Sequence, residues 1–172
     1  MTQSWRHLPA PARPIAAGAL AAVSAARQRD DEALAAAAGD LAALDPALVG
    51  LIVGTAVRLL LEDTHPDGLD GDDIRNVLER CVRSAARWQP EVDPHVVLIL
   101  LAGALGVHDD DGAAPPKPDA LARHAALLMA DLLGDVPAPR PSASGASGDV
   151  EERIAGCLTR ALGEIERAQL ND

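Results

Sequence analysis

Phenylalanine and tyrosine are absent from these 172 residues, and tryptophan occurs only at Trp5 and Trp88. Without aromatic bulk, a core must be filled by Leu, Val, Ile and Ala, which suits closely packed helices better than a sheet. The same absence removes most stacking platforms and every phenolic acid or base. Lysine occurs only at Lys117, and asparagine only at Asn76 and Asn171. The whole bias reads as that of a GC-rich genome, so the missing aromatics carry little functional information. Cysteine is limited to Cys81 and Cys157, with no CxxC or Cys/His ligand spacing, which argues against zinc. Each falls on an apolar helical stripe, so two buried, inert thiols and a reducing, cytoplasmic location are expected.

An excess of positive charge is also missing. The formal net charge is −11 and the sequence pI about 4.7. Such a chain repels phosphate backbones, so no nucleic-acid partner is expected, and Arg6, Arg13, Arg27 and Arg29 are too spread to make a basic patch. Many acids fall where helices begin: Asp45, Asp72, Asp73, Asp93, Asp119, Asp149, Glu151 and Glu152. There they cap amides and meet the positive end of the helix dipole, so much of the acidity is structural. Long apolar runs are lacking too. None reaches the roughly 18–20 residues a bilayer span requires, so no membrane span is expected. Arg6 and Arg13 precede a mild apolar run, and Val23-Ser24-Ala25 has the small residues of a signal-peptide cleavage site. The run is mostly Ala and carries Gly18, so an ordinary first helix is the better reading.

What is present is helical periodicity. The pattern predicts an all-α fold, a bundle of about six helices plus a tethered C-terminal amphipathic helix. Residues 1–14, with Pro9, Pro11 and Pro14, read as an arm anchored by Trp5. The bundle occupies 15–134, with helices over about 15–27, 30–44, 46–62, 72–88, 94–107 and 119–133. Asp45-Pro46 and Asp93-Pro94 each pair an N-cap with a first-turn proline. The fourth helix places Ile74, Val77, Leu78, Cys81, Val82, Ala85 and Trp88 on one face, opposite Asn76, Arg80, Arg83 and Arg87. The fifth is apolar on every side after His95, through Val96, Val97, Leu98, Ile99, Leu100 and Leu101, and is expected to be the buried centre. Residues 135–148 read as a flexible linker, and 149–172 as the seventh, amphipathic helix. No internal repeat is convincing.

The chemistry-bearing candidates are weak. Asp63-Thr64-His65-Pro66-Asp67-Gly68 has an EF-hand-like start, but Ile74 stands where a bidentate Glu belongs. Asp109, Asp110 and Asp111 beside His108 read as a solvated acidic loop. The histidines His7, His65, His95, His108 and His124 show no ligand or catalytic spacing, and His124 is expected to edge the core. No nucleophile elbow, P-loop or dinucleotide fingerprint occurs. No catalytic residue, metal or cofactor is therefore expected.

Two features carry physical content. Gly50 and Gly54, with Gly103 and Gly106, lie inside apolar helices, where each glycine costs about 1 kcal/mol relative to alanine. They predict a close crossing of the third and fifth helices; the alternative is that they leave room for an apolar ligand. The seventh helix presents Val150, Ile154, Leu158, Ala161 and Ile165, beside Cys157, as an apolar face. That face fits a partner protein or a bridge to a second copy of the chain, which is slightly preferred, or else its own bundle. Two functions follow as expectations: first a non-catalytic interaction or assembly protein, and as the alternative a bundle binding a small apolar ligand as a regulatory sensor. A cavity of roughly 300 Å3 or more would favour the sensor, and a solid core with an exposed apolar patch the interaction protein.

Overall fold

The computed structural model describes residues 10–107, 114–135 and 146–170. Within them it has seven helices and no strand, an all-α bundle. They are α1 (Ala12–Gln28), α2 (Asp31–Ala42), α3 (Pro46–Thr64), α4 (Gly71–Ala85), α5 (Pro94–Ala104), α6 (Pro118–Asp135) and α7 (Ala146–Gln169). Residues 1–9, with Trp5 and His7, and 136–145, most of the expected linker, lie outside the described residues.

Local chemistry explains most of the helix starts. Asp45 and Asp93 cap α3 and α5, their Oδ1 atoms accepting the amides of Leu48 at 2.9 Å and His95 at 2.8 Å, with Pro46 and Pro94 next in sequence. At α4 the cap is Asp70, which accepts from the amides of Asp72 and Asp73, while the Asp73 carboxylate accepts from the Asp70 amide. This capping box starts the helix one residue before the expected Asp72. α1 takes in residues 12–14 of the expected arm, because Pro14 lies in the first turn, where no amide is missed. It ends with Arg29 in the left-handed region (φ 57°), which lets the Asp30 amide reach the Ala25 carbonyl at 3.0 Å.

The centre of the bundle is α6, which touches every other helix. Ala122, Ala125, Ala126, Leu127, Leu128, Met129, Leu132 and Leu133 are all buried along it. This corrects the expectation for the fifth helix. α5 buries Val96, Val97, Leu101 and Ala104, but Leu98 is 44% exposed and Gly103 lies open. A helix without a polar face carries no sign of which side turns inward. At 11 residues α5 is also shorter than the 18-residue α6. The fourth helix follows its stripe: Val77, Cys81 and Ala85 are buried, with Ile74, Leu78, Val82 and Trp88 packed at the core edge.

α7 docks on its own chain, against α3 and α1. Ile154, Leu158 and Ala161 are buried in the shared core and Ile165 packs at its edge. The Val150 side chain lies outside the described residues. The Cys157 thiol donates to the Ala56 carbonyl at 3.5 Å, and Arg58–Glu164 and Asp63–Arg160 pairs tie the same seam. The slight preference for a bridging helix is corrected accordingly: three of the four describable face residues are spent on the helix's own bundle.

Candidate functional site

An apolar departure from close packing lies where the glycines are. α3, α5 and α6 border a partly open cavity of about 240 Å3. Its walls are Val49 and Val53 from α3, Ile99 and Leu100 from α5, and Leu121 and Ala125 from α6, with Leu41 of α2 at one end. Among the described residues no charged or hydroxyl side chain lines it. Gly50, Gly54 and Gly103 also line it, and a Cβ placed on any of them meets nothing within 4 Å among the described residues. The expected close crossing is thereby corrected. α3 and α5 are neighbours, but the backbone at these glycines faces open space. Gly106 serves a different purpose. At φ 73° it ends α5 in a Schellman turn, with Val107 N–H bonded to the Ala102 carbonyl at 2.9 Å.

The same glycines and Ala104 also line an outer groove of about 560 Å3 that passes Leu51, Thr55 and Leu69 and ends at Arg58 and Glu62. Leu51 is 46% exposed there. The cavity and the groove thus share the Gly50, Gly54 and Gly103 backbone, one side entirely hydrocarbon and the other ending on an ion pair. A third recess, about 340 Å3, sits among the C-terminal ends of α1, α4 and α6, with Arg27, Ser84, Trp88 and Asp131 on its walls. Arg27 is already engaged, donating to the Ala130 carbonyl at 3.3 Å. Burial first, and the charge of Arg153 second, push its guanidinium below the usual value.

Cys81, Cys157, Asp63 and His65 are in structural positions. Burial, the largest cause, pushes the Cys81 thiol up to about 12, and likewise the Cys157 thiol to about 11, so neither forms a thiolate near neutrality. Asp63 is held by Arg160, and His65 Nδ1 sits 3.1 Å from the Leu61 carbonyl. The described residues hold no cluster of three or more potential metal ligands. His108 and Asp109–Asp111 lie outside them. No described helix is long and apolar enough to cross a membrane.

Two features escaped the sequence reading. The true close crossing is at Gly18, where an added Cβ would lie 2.8 Å from Leu41 Cδ2; its signal was an interior glycine, read only as a flaw in a signal peptide. The other is His124, buried and bonded through both ring nitrogens. Its position between Leu121 and Leu128 marked the core edge, but no sequence signal names its partners. No protein-family model, curated protein or solved structure matches this chain.

Proposed function

We propose that this chain is a binding protein for a small apolar molecule, held in the cavity between α3, α5 and α6. The observation that carries the reading is the open face of Gly50, Gly54 and Gly103. Alanine at each would strengthen the helix and partly fill the space, so glycine there preserves room at a cost in stability. An engineered apolar cavity of roughly 150 Å3 stays dry and takes benzene. At about 240 Å3 this space exceeds that cavity but falls short of the roughly 300 Å3 expected of a sensor pocket, so it suits only a hydrocarbon or aromatic molecule somewhat larger than benzene. Titration with naphthalene, read from the methyl resonances of Val49, Val53, Ile99 and Leu100, tests it. Saturable shifts at those methyls, lost in Gly54→Leu, are the expected result. Unmoved methyls, or unchanged binding in Gly54→Leu, rule the reading out.

A second reading is favoured by the exposed Leu51 on the outer groove, with Leu98 exposed elsewhere on α5. The groove then receives an apolar ridge from a partner protein or a second copy, as the interaction function expects. Light scattering of wild type against Leu51→Glu separates the readings, since a bound copy would be lost while naphthalene binding stays. We place the protein in the cytoplasm on the strength of its two free buried thiols. Cell fractionation tests that placement.

A further inference from the structure

Among the described residues the two buried polar side chains are Gln89, 1% exposed, and His124, 3% exposed. Both hold the same short connection between α4 and α5. Gln89 Nε2 donates to Asp31 Oδ1 on α2 at 2.6 Å. His124, on α6, has Nδ1 2.7 Å from the carbonyl of Ala120, and its Nε2 accepts the amide of Asp93 at 2.8 Å. These partners fix the proton. The Ala120 oxygen only accepts, so Nδ1 carries the hydrogen; the Asp93 amide only donates, so Nε2 is bare. One tautomer of the neutral ring satisfies both. A second proton would set an N–H against an N–H at hydrogen-bond distance in a buried site, an arrangement the fold relieves only by moving one of them.

Asp93 is also the N-cap of α5. Its side chain accepts from His95, and its carbonyl accepts the Val97 amide at 3.3 Å, opening the first turn. The geometry points to a pH-operated latch: protonation of His124 expels the Asp93 amide and frees the N-terminal turn of α5 from α6. Charged and titratable groups carried by the elements meeting here are Asp31 on α2, Arg87, Glu91 and Asp93 on the connection, His95 on α5, and Asp119 and Arg123 on α6. Asp31 is taken by Gln89, Glu91 by Arg123 and the Asp93 carboxylate by the His95 amide. Three of the four carboxylates thus already have a partner, and the fourth, Asp119, is exposed in the first turn of α6. α5 supplies Ile99, Leu100 and Gly103 to the cavity, and α6 supplies Leu121, Ala122 and Ala125. Release of α5 from α6 therefore loosens two cavity walls, a consequence that rests on the ligand reading; the latch itself does not.

The test needs no ligand. Amide hydrogen exchange, corrected for intrinsic rate, is followed at Asp93 and Val97 in the full chain across the pH window over which nitrogen chemical shifts show the His124 ring gaining its second proton. Protection in wild type should fall roughly five- to tenfold, the worth of about one hydrogen bond, while buried α6 amides hold. His124→Gln, whose amide oxygen can accept from Asp93 at every pH, should lose no protection across the window. A loss that persists in His124→Gln, or no loss in wild type, overturns the latch. Should that variant not fold, the wild-type ring is read by nitrogen chemical shifts. A bare Nε2 near neutrality, and an Asp93 amide shift sharing the ring's midpoint, support the latch; a ring that protonates while the Asp93 amide stays still overturns it.

Discussion

Gly18 and Gly54 are the same residue in the middle of helices of similar length, and they sit in opposite environments. At Gly18, α1 and α2 press together until a single methyl group would collide with Leu41. At Gly54, as at Gly50 and Gly103, α3 and α5 leave the same methyl group free space beside an apolar cavity. An interior glycine therefore signals that the side-chain position is special, without saying whether it is crowded or empty. Crowding is explained by packing alone. Emptiness costs helix propensity, and since Gly39 and Gly156 are equally open without lining this cavity, it is the apolar lining around Gly50, Gly54 and Gly103 that makes their face the functional candidate. Leu41 joins the two regions, since it seals the α1–α2 crossing and also lines one end of the cavity.

Substitutions at these positions break or sharpen the contrast. Leu41→Ala has the largest expected effect, a loss of roughly 2–5 kcal/mol in urea unfolding, because it empties a buried site that borders an existing cavity. A loss below about 1 kcal/mol would mean the neighbours collapse to fill it. Gly18→Leu comes next, at roughly 1–3 kcal/mol of overpacking despite leucine's better helix propensity. If it stabilises instead, the two crossings are not different in kind. Gly106→Ala should cost about 1 kcal/mol, because a left-handed backbone penalises any Cβ. Gly103→Ala, three residues earlier, should have the opposite sign, a gain of roughly 0.5–1 kcal/mol, as should Gly54→Ala. Thermal melts of these three variants check the signs directly, and a destabilised Gly54→Ala would restore the close crossing.

How much was legible follows from where the causes lie. Asp45-Pro46 and Asp93-Pro94 set two helix starts by contacts within four residues, and those starts were readable. The α4 stripe was readable because its polar face is as clear as its apolar one. α5 was misread because an all-apolar helix encodes no direction, and Leu98 turned out half exposed. The candidate cavity was only half legible: its glycines stood out, but whether a neighbour fills the space depends on residues from α2 and α6. His124 was the least readable, since its Nε2 partner is a backbone amide 31 positions away.

By itself, then, the sequence determined the all-α class, most helix starts and the absence of aromatic filling, because propensity, capping and periodicity act over one or two turns. Tertiary structure alone decided which helix is central, that α7 covers its own core, which glycine is crowded and which is open, and what the buried imidazole holds. Each of those depends on atoms brought together from separate helices, and no short-range pattern in a chain records the distance between them.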